Sequence, residues 1–160
     1  MKTVVIYHSK FGNTQLVAEA MAGVLQAAGP SRALSADRLT IADLQDVDLV
    51  VLGSPTHKMN LPVALRPLLD GLPKRCLRGK QVAAFDTSYK MNWLLARFTA
   101  APRLLKKMRK LGGKQAVRPE TFFVVGREGP LFDGELERAQ AWAAALIPRP
   151  AKELIYHGAQ

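Results

Sequence analysis

Residues 3–14 read Thr-Val-Val-Ile-Tyr-His-Ser-Lys-Phe-Gly-Asn-Thr. The β-branched run Thr3–Tyr7 has the length and composition of a buried strand, and apolar residues recur at helical spacing from Gln15 to Ala28. The turn between them, Ser9–Thr14, therefore connects a strand to a helix, where unpaired N–H groups and the helix dipole favour an anion. Its glycine lets the backbone approach a ligand, and its hydroxyl groups add hydrogen-bond donors. The alternative is that the polar residues of this turn only cap the helix, and the residues alone leave both interpretations open.

The composition is that of one globular domain. The chain has 160 residues, of which 48% are hydrophobic, so it can bury its own core as a single domain over residues 1–160. No apolar run approaches the roughly 18 residues that a membrane span needs, and no signal-peptide pattern precedes the first strand, so we expect a cytoplasmic protein without a transmembrane segment. The single cysteine, Cys76, excludes an internal disulfide. His8, His57 and His157 are too scattered to indicate a metal site.

Strand-like and helix-like segments alternate along the chain. We predict strands at Thr3–Tyr7, around Arg32–Ala36, at Leu49–Leu52, at Gln81–Phe85 and around Phe122–Val125. We predict helices at Gln15–Ala28, near Ile41–Leu44, at Pro62–Leu69, at about Trp93–Leu111 and at Gly134–Ile147. This alternation implies right-handed crossovers and a doubly wound α/β fold, a parallel sheet with helices on both faces.

In a doubly wound sheet, ligands bind beside the carboxyl ends of the strands. Three polar segments follow predicted strands there. The first is Ser9–Thr14, the second, Gly53–Pro62, reads Gly-Ser-Pro-Thr-His-Lys-Met-Asn-Leu-Pro, and the third, Asp86–Trp93, reads Asp-Thr-Ser-Tyr-Lys-Met-Asn-Trp. We expect the functional site at these three loops.

Together, the three loops resemble the flavodoxin family, and the match runs the length of the chain. Ser-x-x-Gly-Asn-Thr is similar to the family's FMN-phosphate loop, Gly-Ser-Pro-Thr to its first isoalloxazine loop, and Asp-x-Ser-Tyr to its second. The resemblance implies a five-stranded parallel sheet of order 2-1-3-4-5 and a noncovalently bound FMN. The cofactor-binding residues that it implies are Ser9, Lys10, Phe11, Gly12, Asn13, Thr14, Ser54, Pro55, Thr56, His57, Lys58, Met59, Asn60, Asp86, Thr87, Ser88 and Tyr89.

The resemblance also implies a role for each loop. The first loop would hold the ribityl phosphate, and Ser54–Thr56 would border the ribityl chain and the edge of the flavin. Asp86 would lie near the ribityl hydroxyls or the ring. Tyr89 would stack on the isoalloxazine, a contact that contributes most when it is desolvated. The alternative for Tyr89 is an ordinary surface aromatic.

The second loop departs from the family pattern. Where the family usually has a second stacking aromatic, this chain has His57, Lys58 and Met59. One of these residues, or Trp93, would have to cover the second face of the flavin. The family also commonly has a glycine here whose peptide flips when the flavin takes up a proton. In this chain we expect Asn60 to be the only residue of the loop that tolerates a positive φ.

The charge is a second departure, because typical flavodoxins are acidic. The net charge is +10, and between Lys74 and Arg118 thirteen Lys and Arg face the single Asp86, a net charge of +12. Such a stretch attracts acidic proteins, anionic lipids or nucleic acid, although most charge runs are simply solvated helix faces. No aromatic lies between Phe98 and Arg118, so we expect no specific nucleic-acid binding. We expect a redox partner protein with an acidic docking surface, and possible peripheral contact with an anionic membrane.

For function, the resemblance implies an FMN-binding electron-transfer protein. One alternative is an FMN-dependent oxidoreductase that acts on a quinone or a porphyrinogen, as the flavodoxin-like protoporphyrinogen oxidases do. Another is a binding module that has lost FMN. Between carrier and enzyme we favour the carrier, because those oxidases often have an extra segment around the fifth strand and there is little room for one between Lys114 and Phe122. Because His57, Lys58 and Lys90 replace acidic surroundings, we expect the anionic reduced flavin to be favoured and the redox potential to be raised.

Overall fold

The computed structural model describes residues 1–149, and Trp93 and Ala96 are described without their side chains. The strands are β1 (Thr3–Tyr7), β2 (Ser31–Ser35), β3 (Leu49–Pro55), β4 (Gln81–Tyr89), β5 (Lys114–Gln115) and β6 (Glu120–Val124). The helices are α1 (Asn13–Leu25), α2 (Ala42–Gln45), α3 (Leu65–Gly71), α4 (Trp93–Ala96), α5 (Ala100–Lys110) and α6 (Glu135–Ala144). Short 3₁₀ turns occupy Gln26–Ala28 and Ala36–Arg38.

All strand pairs of the sheet are parallel. The order is β2-β1-β3-β4, and both β5 and β6 pair with the outer edge of β4. Gln81 at the start of β4 is opposite Lys114, whereas Phe85–Tyr89 pairs with Glu120–Val124. The predicted doubly wound sheet of order 2-1-3-4-5 is therefore confirmed, with its fifth position filled by two short strands.

Successive side chains along each strand point to opposite faces of the sheet, which divides the core into two layers. Val4 and Ile6 of β1 face one side, where Leu65 of α3 and Leu104 of α5 pack. Val5 faces the other side, against α1 and α6. On that second side, the rings of Phe85, Phe122 and Trp142 contact one another edge to face, with centroids 6.1 to 6.5 Å apart. The expected helical cover on both faces is present.

The single helix predicted at about Trp93–Leu111 is wrong. The chain forms α4, leaves helical geometry at Thr99 with φ −69° and ψ 177°, and starts again as α5. Pro102 is the signal that identifies this break, because proline lacks an N–H group and is tolerated in the first turn of a helix but not in its interior. In α5 it is the third residue.

The bounds of the other elements differ from the predicted ones at their ends. The largest difference is in β4, which continues to Tyr89, so that Asp86–Tyr89 is strand rather than loop. These residues pair on one side with β3 and on the other with β6. Within residues 1–149, no helix has the length and apolar character needed to cross a membrane.

A candidate cofactor pocket at the carboxyl edge of the sheet

A pocket of about 430 Å³ opens where the strands end, a size within the range of small-molecule and cofactor sites. Four segments contribute to it: the loop after β1, the loop after β3, the end of β4 and the loop after β6. The lining residues are Ser9, Lys10, Phe11, Asn13, Thr14, Pro55, Thr56, His57, Lys58, Thr87, Ser88, Tyr89, Val124 and Arg127. The three predicted loops therefore meet at one cavity.

The first loop ends in a helix start that no side chain caps. Gly12, with φ 91°, directly precedes α1, and no side-chain oxygen accepts the N–H groups of the first helical turn. The hydroxyl of Ser9 instead accepts the N–H of Gly12 at 3.0 Å, within the turn itself. The capping alternative is therefore not what this turn shows. Its geometry leaves the first N–H groups of α1 available to an anion.

Two contacts between side chains and distant parts of the chain fix this loop. The hydroxyls of Thr14 and Thr87 lie 2.8 Å apart, and both residues are buried. The Asn13 side-chain amide donates to the carbonyl of Glu128 at 3.0 Å. The loop after β6 is thus part of the site, and its Arg127 lines the pocket. Sequence reasoning missed this segment, although Gly126 and Gly129-Pro130 indicate a turn after the last strand.

The second loop turns sharply at two residues that are not glycine. His57 and Asn60 exchange two backbone hydrogen bonds of 2.8 Å, which closes a two-residue hairpin. Both central residues have positive φ, 45° for Lys58 and 60° for Met59. Such hairpins require positive φ at both central positions, which usually selects glycine or asparagine. The expectation that Asn60 alone would tolerate positive φ is therefore wrong, because the hairpin imposes it on its neighbours.

Asp86 lies outside the pocket lining, although the resemblance implies a position near the ribityl group or ring. Because β4 continues as a regular strand, its side chains alternate, and Asp86 faces α5 while Thr87 faces α1. The Asp86 side chain is fully buried, and Oδ2 accepts the N–H of Ala101 at 2.7 Å and the hydroxyl of Thr56 at 3.1 Å. Asp86 therefore holds the start of α5.

Burial raises the pKa of the Asp86 carboxyl above its usual range. The N–H of Ala101 and the hydroxyls of Thr99, Thr121 and Thr56 oppose this rise but do not cancel it. Thr56 connects the Asp86 carboxyl to the pocket, because its hydroxyl donates to Asp86 while the residue itself lines the cavity. The same hydroxyl accepts the N–H of Ala100 at 2.9 Å. The side chain of Thr56 thus links the second loop to α5.

Four other predicted residues do not line the cavity. Ser54 is fully buried and its hydroxyl donates to the carbonyl of Pro55 at 2.8 Å. Gly12 and Met59 are not among the lining residues, and Asn60 lines a separate groove. Tyr89 does line it and is 51% exposed. The Trp93 side chain, named as a possible second cover, and His157 lie outside the described residues.

Gly53, the first residue of the second loop, packs so closely against Phe85 that a side chain would not fit there. A Cβ atom on Gly53 would lie 2.0 Å from the ring of Phe85. The closeness of the Phe85 ring to β3 therefore excludes a side chain at this position.

The charge of the pocket lining is one-sided. Lys10, Lys58 and Arg127 contribute cations, and no carboxylate side chain is among the lining residues of the described chain. The same part of the chain has no cluster of three or more His, Cys, Asp or Glu residues that could hold a metal ion. The pocket therefore favours an anionic ligand or a ligand that acquires negative charge.

The strand order 2-1-3-4-5, with a ligand-sized pocket at the carboxyl edge, defines a flavodoxin-like α/β protein. The sequence matches the model of a flavodoxin domain over residues 4–136. The chain belongs to this flavodoxin domain family.

Solved structures share the fold at low sequence identity. A flavodoxin from the domain Archaea is 20% identical, with a TM-score of 0.74 over 92% of this chain and 96% of that one. Oxidised flavodoxin 1 from Bacillus cereus is 20% identical, with a TM-score of 0.72 over 94% and 100%. A WrbA-like flavodoxin from Agrobacterium tumefaciens is 23% identical, with a TM-score of 0.70 over 91% and 94%. No curated protein sequence matches this chain. At these identities the structural likeness shows the fold alone.

Proposed function

We propose that the chain binds FMN in the pocket at the carboxyl edge of the sheet and carries electrons between protein partners in the cytoplasm. The observation that carries this proposal is the start of α1, where an uncapped first turn follows the positive-φ Gly12, and Asn13 and Thr14 line the cavity. Membership in the flavodoxin domain family supports the choice of FMN over other phosphate-bearing ligands.

The residues of the first loop fit the phosphate of FMN. The backbone N–H groups of Asn13 and Thr14 stand at the positive end of a 13-residue helix, and Ser9 adds a hydroxyl to the lining. A Cβ on Gly12 would meet no atom within 4 Å, so the glycine serves the positive φ of the turn rather than a tight contact. The phosphate would replace the missing cap of α1.

The end of the pocket at Tyr89 and the second loop, which we call the ring end, fits one face of an isoalloxazine. Tyr89 offers a half-exposed ring, while His57 and Lys58 lie on the rim formed by the second loop. Bound FMN supplies the capacity to accept and release one or two electrons. Lys58 and the other lining cations would stabilise the reduced, anionic flavin, and we therefore propose a higher redox potential than an acidic pocket would give.

The partner in this proposal is a redox protein with an acidic surface. The chain has a net charge of +10, and its cations are concentrated between Lys74 and Arg118. Opposite charges on two proteins accelerate their encounter, and this effect weakens as salt is added.

Titration of the purified protein with FMN tests the cofactor. We expect the protein to quench FMN fluorescence at micromolar concentration and to retain a yellow absorbance band after desalting. Riboflavin, which has the same ring without the phosphate, is the matched control and should bind more weakly. Absence of quenching would contradict the proposal and leave the binding-module alternative.

Electron transfer is tested on the FMN-loaded protein. We expect the chemically reduced protein to reduce an acidic one-electron haem protein, and to show little quinone reduction with NADH or NADPH. Rapid NAD(P)H-dependent quinone reduction would instead identify the oxidoreductase alternative. The two assays use the same preparation, so their rates can be compared directly.

A further inference from the structure

Four cations form one continuous stripe on α5. Arg103, Lys106, Lys107 and Lys110 follow the spacing i, i+3, i+4 and i+7, which places their side chains on the same helical face. The opposite face packs on the sheet through Leu104, Leu105 and Met108. The stripe is therefore the side of α5 that the core leaves to solvent.

A groove of about 310 Å³ runs between this stripe and α3. Arg66 of α3 contributes a fifth cation, and Leu61 and Leu69 add apolar surface. We call this surface, with the cations Arg66, Arg103, Lys106, Lys107 and Lys110, the cationic groove. Among the described residues, the one carboxylate that lines it is Asp70, which pairs with Lys107 at 2.8 Å.

Helix stability accounts for only some of these cations. Among the described residues, no ion pair involves Arg66, Arg103, Lys106 or Lys110. Lys107 and Lys110, in the last turn, interact favourably with the helix dipole, but Arg103 lies near the other end, where a cation is disfavoured. No acidic residue in the first turn of α5 compensates for it. The stripe is thus more basic than the helix requires.

The groove adjoins the candidate FMN pocket through a single loop. His57 and Lys58 line the pocket, and Asn60 and Leu61 of the same loop line the groove. A protein bound in the groove would therefore contact the loop that borders the ring end of the pocket.

We propose that the cationic groove docks an acidic partner protein that presents a row of carboxylates. This inference rests on the proposed function for the redox role of the partner, while the charge complementarity stands on the groove itself. The stripe from Arg103 to Lys110 spans about 10 Å along α5, the length of two turns of a partner helix. Carboxylates at i, i+3, i+4 and i+7 on such a helix would match the four cations of the stripe.

The position and composition of the groove favour a protein over a lipid surface. Its cations flank a shallow groove that adjoins the loop bordering the candidate pocket, so a protein seated there would also reach that pocket. The apolar floor at Leu61 and Leu69 also provides a dry contact of the kind found at the centre of protein interfaces.

The test uses a fluorescein-labelled helical peptide with glutamates at i, i+3, i+4 and i+7. Its binding is measured by fluorescence anisotropy at low ionic strength, because salt screens exposed charges. The groove variant combines Arg103→Gln, Lys106→Gln and Lys110→Gln. The matched control combines Arg75→Gln, Arg109→Gln and Lys114→Gln, which removes the same charge from exposed positions outside the groove.

We expect the groove variant to lose about tenfold or more in peptide affinity, and the control to stay within about threefold of the original protein. Equal losses in both variants, or no peptide binding at all, would overturn the proposal. Phosphatidylcholine vesicles with and without phosphatidylglycerol provide the lipid arm. If both probes bind, the loss of affinity in the groove variant is compared with that in the control variant for each probe. A greater difference between the two variants with anionic vesicles than with the peptide would assign the groove to a membrane and overturn the protein partner.

FMN titration of the same variants separates this inference from the proposed function. None of the substituted residues lines the pocket, so FMN affinity should be unchanged in both variants. Failure to bind FMN would contradict the proposed function and leave the peptide result intact. Circular dichroism of each variant checks that glutamine, a good helix former, preserves α5.

Discussion

The two loops that border the pocket are held in different ways. The first loop has one positive-φ residue, Gly12, and is fixed by hydrogen bonds between uncharged groups, including the Thr14–Thr87 pair. The second loop places Lys58 and Met59 at positive φ and is connected through Thr56 to a buried carboxylate. The first is preorganised at little conformational cost, whereas the second combines backbone strain with charge. Changes in the first loop should therefore affect ligand affinity, and changes in the second should affect stability and redox potential.

The largest effect is expected from Thr14→Val. This substitution removes a hydroxyl from the proposed phosphate site. It also leaves the buried hydroxyl of Thr87 without its partner, which lowers the free energy of unfolding by about 1–3 kcal/mol. We expect FMN affinity to fall about tenfold or more, measured by fluorescence titration. Riboflavin binding should change much less, because it has no phosphate. Equal weakening of both ligands would show that the first loop does not hold the phosphate.

Asp86→Asn tests the support beneath the second loop. Because burial raises the pKa of Asp86, the folded protein keeps a proton that the unfolded chain releases. Stability should therefore fall as the pH rises from the ordinary carboxyl range through the raised pKa of the folded state. Asparagine cannot ionise but still offers an oxygen to Ala101 and Thr56, so the variant should lack this decline and be more stable than the original protein at a pH above the ordinary carboxyl range.

Urea unfolding at several pH values measures this difference. Asp133→Asn, which removes one negative charge at an exposed position, is the control for the change in net charge. Parallel stability curves for Asp86→Asn and the original protein would contradict the assignment of a raised pKa to Asp86.

The fold was predictable because its strands are apolar runs and its helices have regular periodicity between them. Thr3–Tyr7 and Leu49–Leu52 are buried in the sheet centre, where composition alone indicates a strand. The position of Asp86 was not predictable in this way. Asp86-Thr87-Ser88 has the composition of a loop, yet pairing with β3 and β6 on both sides keeps it in the sheet. Tertiary pairing overrides local preference there.

The strain of the second loop was hidden for a similar reason. Lys58 and Met59 have no intrinsic preference for positive φ, and only the backbone pairing of His57 with Asn60 forces it on them. Pro102, by contrast, indicates the break between α4 and α5 from the sequence alone, because a proline in mid-helix conflicts with one continuous helix from Trp93 to Leu111. The two conflicts that the sequence did not reveal are joined in the structure, because Thr56 of the second loop donates to Asp86.

Lys58→Gly should release the strain of the second loop. A residue other than glycine in the left-handed region costs about 1–2 kcal/mol, and part of this is regained because glycine makes the unfolded chain more flexible. We expect the variant to be about 1 kcal/mol more stable than Lys58→Ala, which removes the same charge but keeps the Cβ atom. Thermal unfolding of the two variants without FMN provides the comparison. Equal stabilities would show that the positive φ at Lys58 carries no cost.

Lys58→Glu tests the charge of the second loop and keeps a residue with a Cβ atom at the positive φ of this position. Because Lys58 lines the pocket, a carboxylate in its place would oppose the negative charge of the reduced flavin. We expect the midpoint potential of the FMN-loaded variant to fall by tens of millivolts in a potentiometric titration, while FMN affinity changes less than in Thr14→Val. Lys114→Glu makes the same change in net charge outside the pocket and should shift the potential little. Similar shifts in the two variants would mean that overall charge, rather than the second loop, sets the potential, and the contrast between the two ends of the pocket would then be limited to backbone strain.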